Sequence, residues 1–340
     1  MKLFTRPVFV LVVHCMVFLS SPGIADESVH NRIKERLLER QRQKPNPAAD
    51  AGRDLQPVTS GDHIYTIQHG GLKRMYRIHV PAAYDVARPV PVVFALHGGG
   101  GSMDYQANDA YYGLITKSEQ EGFVAVFPNG FSKLPGGKLA TWNAGNCCGG
   151  ARDANADDVG FIREVVADVT RRVNVDRSRI YATGMSNGGL MSYRLACEMS
   201  DVFSAIAPVA GTDNTQVCSP ERAVSVLHIH ARNDNHVLFD GGAGPGARDK
   251  SKVTDFTSVP ATLAKWVGLN GCAPTPRRIL DKPGVYCEVY APCRDGAEVQ
   301  LCVTDSGGHS WPGGHKPRGG EAPSQAVSAN DVMWDFFARH

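Results

Sequence analysis

The sequence predicts an α/β fold, a mostly parallel central sheet with helices on both faces. Three observations carry that expectation. Val90 to Leu96, Phe123 to Phe127 and Ile180 to Thr183 are short, near-continuous apolar runs, the pattern of parallel strands buried on both sides. Ile162 to Val173 carries apolar residues at 162, 165, 166, 169 and 173, the stripe of an amphipathic helix. These two kinds of segment alternate along the chain, which is the signature of helices layered on a parallel sheet.

The first 25 residues read as an export signal. Lys2 and Arg6 precede the apolar run Val8 to Ser20, and Gly23-Ile24-Ala25 supplies small residues for cleavage. The run is too short for a typical membrane span. His14 stands before Cys15 where a lipidation signal wants a small residue. Residues 26–60 form a charged extension: Asn31 to Gln43 is helix-prone, Pro45 and Pro47 end it, and a linker-like stretch follows. Residues 61–340 are then expected to be one catalytic domain around a single core.

Within that domain, Ile64 to Gln68 and Arg74 to Val80 flank His69-Gly70-Gly71-Leu72, a hairpin signal. Val224 to His230 reads as a strand and Ala261 to Leu269 as a helix. Val285 to Tyr290 and Glu298 to Thr304 are β-like, and Ala326 to Arg339 is a closing helix. The 36 Lys+Arg and 34 Asp+Glu give a formal charge of +2, and loss of Lys2 and Arg6 with the signal brings it to zero. Nothing in that balance calls for nucleic acid or an anionic membrane. Of nine cysteines, Cys15 leaves with the signal, and the remaining even number suits disulfides in an oxidising compartment. Cys287 and Cys302 sit in the two β-like runs, where a cross-strand bond is plausible, which leaves Cys272 for Cys293. Scattered cysteines without a C-x-x-C pair make a zinc site a poor reading.

Gly184-Met185-Ser186-Asn187-Gly188 is a G-x-S-x-G between a strand and the helical run Leu190 to Glu198. A serine on such a sharp turn is exposed at the sheet edge, and the helix behind it favours developing negative charge. Ser186 is therefore the candidate nucleophile. A serine needs a base, itself oriented by an acid, in the chain order Ser, Asp, His. His309, in a glycine-rich loop directly after the strand ending at Thr304, is the candidate base; His315 and His340 lack that setting. Asp234 follows the strand Val224 to His230 and is the candidate acid. Asp240 is its rival, and Asp201, Asp213 and Asp255 are less well placed.

His97-Gly98-Gly99-Gly100-Gly101-Ser102 closes an early strand, so the Gly99 and Asn187 N–H groups are expected to form the oxyanion hole. Trp142 and Trp311 are candidate walls of the substrate cleft, with core packing the alternative for each. Asp157-Asp158 precede a helix and read as caps. His228 and His230 share a strand face, but two imidazoles without a third ligand at fitting spacing make a weak metal motif. No cofactor or metal is expected.

Together these residues resemble the polyhydroxybutyrate depolymerase/feruloyl esterase-like family of secreted α/β-hydrolases, close to the first carbohydrate esterase family. The motifs that carry the likeness are Arg74-Met75-Tyr76, His97 to Ser102, Trp142-Asn143-Ala144-Gly145, Cys147-Cys148-Gly149, Asp157 to Ile162, Gly184 to Gly189 and Gly307 to Gly314. The resemblance implies an α/β-hydrolase fold and hydrolysis of carboxylic esters by Ser186, Asp234 and His309. It also implies a disulfide from the Cys147-Cys148 pair into the body of the domain, to Cys197 or Cys218. The family has a glycine after the strand histidine and a proline after the acid; this chain has His230-Ala231-Arg232-Asn233-Asp234-Asn235-His236.

The expected protein is thus a secreted or periplasmic serine esterase that works through an acyl-enzyme. Its expected substrates are small or oligomeric esters: 3-hydroxybutyrate oligomers, or hydroxycinnamoyl or acetyl esters of polysaccharide. A serine peptidase of the prolyl-oligopeptidase type is disfavoured, since no propeller-sized segment precedes the hydrolase. A secreted binding protein that keeps the fold is disfavoured by the complete set of catalytic residue types.

Overall fold

The computed structural model describes residues 56, 58–316 and 320–340. The expected export signal and nearly all of the charged extension lie outside the described residues.

Among the described residues, ten strands form one sheet: β1 (Gly61–His69), β2 (Leu72–Val80), β3 (Val90–Leu96), β4 (Val124–Pro128), β5 (Val175–Met185), β6 (Ala205–Val209), β7 (Ser225–Ala231), β8 (Arg277–Lys282), β9 (Val285–Tyr290) and β10 (Val299–Thr304). Their order is β1-β2-β4-β3-β5-β6-β7-β10-β9-β8. From β4 to β10 every neighbouring pair is parallel, while β1, β2, β8 and β9 add antiparallel edges. Among the described residues the α-helices are α1 (Met103–Gln106), α2 (Asp109–Tyr112), α3 (Leu114–Glu121), α4 (Gly149–Asp153), α5 (Asp158–Arg172), α6 (Asn187–Glu198), α7 (Val259–Asn270) and α8 (Ala329–Phe337).

Strand alternation sorts the core into two layers. Val92, Phe94 and Leu96 of β3 face one layer with Phe161 of α5, Leu190 of α6 and Trp266 of α7. Val93 and Ala95 face the other with Leu114, Phe336 and Phe337. Helices therefore cover both faces, as the apolar runs require.

Local chemistry sets several boundaries. Gly70 and Gly71 take φ of 56° and 75° in the β1–β2 turn, a left-handed geometry that suits glycine. The Asp157 carboxylate accepts from Gly160 N at 2.9 Å and caps α5. Its neighbour Asp158 does more than cap. It is fully buried, pairs with Arg74 of β2 at 2.6 Å, and accepts from Asn143 N at 2.7 Å.

Four disulfides join Cys147–Cys148, Cys197–Cys218, Cys272–Cys293 and Cys287–Cys302. The cross-strand bond meets its expectation because Cys287 and Cys302 are register partners on β9 and β10. The pairing implied by the resemblance is corrected. Cys148 bonds its own neighbour, and Cys197 and Cys218 satisfy each other between α6 and the loop before β7.

Candidate active site

Ser186 sits between the end of β5 and the first turn of α6, with φ 57° and ψ −121°. A non-glycine residue held there is strained, and the surroundings explain how it is held. Ser186 N donates to Val209 O at 2.8 Å. A Cβ on Gly184 would lie 2.6 Å from the Gly188 backbone, and one on Gly188 would lie 2.1 Å from Leu96 O. The two flanking glycines of the motif are therefore where β3, β5 and α6 pass too closely for any side chain.

The acid and base meet across two loops. His309 Nδ1 lies 2.8 Å from Asp234 Oδ2. The other carboxylate oxygen accepts from His236 N at 2.7 Å and Val237 N at 3.1 Å, so both oxygens are engaged. Burial alone would raise the Asp234 pKa; the charge and hydrogen bond of His309, with smaller help from His230 and His236 N, outweigh it and hold the carboxyl below its ordinary value. Asp240 is exposed at the surface and makes no comparable contact.

Two side chains that sequence reasoning passed over lock these loops together. Asn233 Oδ1 accepts from Gly308 N at 3.0 Å, and its amide donates to Glu321 at 2.6 Å. Glu321 in turn accepts from Gly307 N at 2.9 Å. The cycle needs Gly307 and Gly308 at φ of 111° and 55°, which fixes why the histidine loop begins with two glycines. No local motif announces Asn233 or Glu321, since they act only once the two loops are adjacent.

On the other side of Ser186 lies the glycine segment after β3. Gly100 N and Gly101 N are spent on Ala140 O and Gly98 O, whereas Gly99 N bonds to no described residue. A Cβ on Gly99 would sit 3.6 Å from Asn187 Cβ, so the segment runs against the start of α6. Asn187 N belongs to the first turn of that helix, where N–H groups lack intrahelical acceptors. The Asn187 side chain clamps Trp142 by two bonds, Oδ1 from Trp142 N at 2.7 Å and Nδ2 to Trp142 O at 3.0 Å. Trp142 Nε1 donates to His97 O at 3.0 Å. His97 Nε2 accepts from Gly130 N and Nδ1 donates to Gly98 O, and burial drives its pKa down to about 4. This neutral histidine and Trp142 brace the glycine segment from behind.

Trp142 is accordingly not a cleft wall. It is fully buried and lies outside the cavity lining, the core-packing alternative. Trp311 packs edge-on to Tyr112 at 5.5 Å and lines a small adjoining recess with His309 rather than the main cavity.

The main cavity, about 830 Å³, opens over Ser186 and is lined by Gly98 to Gly101, Asn187 and His309. Its apolar walls are Tyr105, Tyr112, Leu139, Met185, Val237, Val253 and Phe256, with Cys148 among them and Lys252 and Lys316 as the charged groups. Asp234, His236 and His309 also bring donor atoms within 4.8 Å of one another, a possible metal cluster, but the Asp234 oxygens and His309 Nδ1 are already spent on hydrogen bonds. In the other such group, Cys197 and Cys218 are spent on their disulfide.

The chain is similar to several known esterases. Feruloyl esterase B of Piromyces equi is 33% identical over 238 residues, covering 68% of this chain and 42% of that protein, so this chain spans less than half of it. The probable feruloyl esterase C of Aspergillus niger is 28% identical over 78% of this chain and 83% of its own length. The acetyl xylan esterase of Aspergillus awamori shares the fold, with a TM-score of 0.56 at 14% identity, over 82% of this chain and all of that one. The family model described as Esterase PHB depolymerase matches residues 74–257, more than half of the chain, and the chain belongs to that esterase family.

Proposed function

We propose that the protein is an exported serine hydrolase that cleaves carboxylic esters through an acyl-enzyme, with Ser186, His309 and Asp234 as its triad. The observation that carries this reading is one cavity onto which a strained serine, an imidazole bonded to a buried carboxylate, and an unspent Gly99 N–H all open. Asp234 can only accept, so His309 carries its proton on Nδ1 and offers bare Nε2 to the serine. Ser186 Oγ attacks the ester carbonyl as Nε2 takes its proton, and the new oxyanion is held by Gly99 and Asn187 N–H. Collapse breaks the C–O bond, and the His309 imidazolium protonates the departing alcohol. Water then enters, loses its proton to Nε2 and attacks the acyl carbon, and collapse returns the proton to Ser186 Oγ and frees the acid.

The acyl group we favour is a hydroxycinnamoyl unit. Tyr105, Tyr112 and Phe256 give the cavity aromatic walls for a planar ring, and two of the relatives named above carry the name feruloyl esterase. A second reading, 3-hydroxybutyrate oligomers, is favoured by the description of the matching family. Export is supported by the four disulfides and by the apolar run near the start of the sequence.

The test is hydrolysis of methyl ferulate, hydroxybutyrate oligomers and p-nitrophenyl acetate side by side, with Ser186→Ala as control. Highest kcat/KM on methyl ferulate, abolished in the variant, supports the favoured reading. Preference for the oligomers moves the assignment to the second one, and turnover that survives Ser186→Ala refutes the mechanism.

A further inference from the structure

Behind the acid lies a row of buried polar groups that the mechanism above does not use. Tyr193 Oη is 2.8 Å from His228 Nδ1, His228 Nε2 is 3.1 Å from His230 Nδ1, and His230 Nε2 is 2.9 Å from Val237 O. His230 Nε2 also lies 3.5 Å from Asp234 Oδ2, the oxygen that meets His309. Tyr193 and His228 are fully buried and His230 nearly so. All four ring nitrogens are hydrogen-bonded, which disposes of a metal pair on this strand face.

The protons in this row have only one arrangement. Val237 O can only accept, so His230 Nε2 carries a hydrogen. Burial lowers the pKa of both rings, so each is neutral and has one N–H. His230 Nδ1 must then accept from His228 Nε2–H, and His228 Nδ1 must accept from the Tyr193 hydroxyl, whose own pKa burial raises. Every donor points the same way, from α6 toward the loop of Asp234. Tyr193 lies on the very helix that starts after Ser186.

We infer that Tyr193, His228 and His230 form a directional relay of hydrogen bonds that positions the Asp234 carboxylate for His309. His228 and His230 are positioning residues, and the inference rests on the reading of Asp234 as the catalytic acid. The relay supplies what the backbone cannot. Two N–H groups fix Asp234 Oδ1, and His230 Nε2–H closes the turn at Val237 O while facing Oδ2. The Val237 N–H that holds Oδ1 is thereby kept in place, which leaves Oδ2 turned toward His309. Buried chains of this kind are stiff when every member is satisfied.

The groups that face the relay are few. Asp234 and His309 stand at one end, with His236 stacked on His309 at 4.5 Å. Asp213 bears on Tyr193 at the other, held by Lys265 at 2.8 Å and Trp266 Nε1 at 2.9 Å. Phe239 packs edge-on to His230, with Arg232 over its ring.

The experiment combines His230→Gln, His230→Phe, Tyr193→Phe and Asp234→Asn with a nitrogen NMR spectrum of the native histidines. Glutamine places an amide N–H where Nε2 stands, and it keeps kcat within a few-fold. Phenylalanine keeps the ring but removes the donor; misplacement of the acid then lowers kcat roughly ten- to a hundred-fold with KM little changed. Loss of the N–H dipole 3.5 Å from Oδ2 also makes that oxygen a stronger acceptor for His309 Nδ1–H. The acidic limb of kcat/KM therefore moves to higher pH in His230→Phe, and in the same direction but less in Tyr193→Phe. The native spectrum is expected to show His230 protonated on Nε2 and bare on Nδ1.

A folded His230→Phe enzyme with native kcat and an unmoved acidic limb overturns the inference, as does a native His230 protonated on Nδ1. Should His230→Phe fail to fold, Tyr193→Phe and the native spectrum decide the matter in the same way. An active Asp234→Asn enzyme would instead overturn the assignment of the acid, a result distinguishable from either.

Discussion

The imidazoles of His236 and His309 lie stacked, their centroids 4.5 Å apart and their planes 17° from parallel. Burial, followed by the neighbouring His309, pushes the His236 pKa down to about 4, so at neutral pH a neutral ring covers one face of the proposed base. It shields that ring and takes no proton itself. His236→Ala is expected to lower kcat/KM by less than about tenfold, whereas His309→Ala loses several orders of magnitude. Steady-state kinetics on p-nitrophenyl acetate checks this, and the opposite ranking would make His236 the base.

Asp234→Asn keeps the shape of the turn but removes the charge that fixes the His309 tautomer. The expected loss in kcat is on the order of ten-thousand-fold, with the far-ultraviolet dichroism unchanged. Asp240→Asn, at an exposed position, leaves kcat near native. A crippled Asp240→Asn enzyme beside an active Asp234→Asn one would exchange their roles.

The glycines of the site differ in what they tolerate. A methyl group on Gly99 meets Asn187 Cβ at an ordinary 3.6 Å, but on Gly188 it meets Leu96 O at 2.1 Å. Gly99→Ala is expected to fold with a near-native Tm. Gly188→Ala must push β3 and α6 apart and loses more than about 3 kcal/mol of stability. Thermal unfolding of the two variants compares them directly.

Buried neutral histidines also set the pH dependence of stability. His97, His228 and His230 all titrate below their ordinary value in the folded chain, for His97 at about 4. Between that value and 6.5 the unfolded chain binds more protons, so stability falls as pH drops through this window. His97 alone accounts for roughly 3 kcal/mol. Asp158 and His69, both raised in the folded chain, oppose this, whereas His236 and carboxylates held low, such as Asp168 and Asp234, add to it. Urea midpoints at pH 7, 5.5 and 4 are expected to decline in that order; a midpoint that rises on acidification would contradict neutral burial.

Much of the candidate site is legible in the sequence alone, and the reason is local. Ser186 announces itself because its turn needs glycines at fixed offsets, and His309 because two glycines precede it after a strand. The strands β3, β7 and β9 were readable from their apolar runs. β6 was not, since Ala205-Ile206-Ala207-Pro208-Val209 is short and contains a proline. β8 is largely exposed on the sheet edge and so lacks an apolar signal. Trp142 was ambiguous because a buried aromatic and a cleft wall have the same residue type; only its bonds to Asn187 and His97 decide. Long-range partners such as Glu321 leave no trace in spacing.

The disulfide pattern is open to a chemical check. Thiol titration of denatured, unreduced protein is expected to find almost none of the eight domain cysteines free. Peptide mapping is expected to recover Cys197 joined to Cys218, with Cys147 and Cys148 in one peptide. A peptide linking Cys148 to Cys197 or Cys218 would restore the pairing implied by the family resemblance.

The central claim is a covalent acyl-enzyme on Ser186, and rapid acid quenching during turnover of p-nitrophenyl acetate tests it most directly. Mass spectrometry of the quenched protein is expected to find one acetyl group on the peptide that holds Ser186, and none on Ser186→Ala. Full turnover with no acylated serine, or an acetyl group on another residue, would contradict the account.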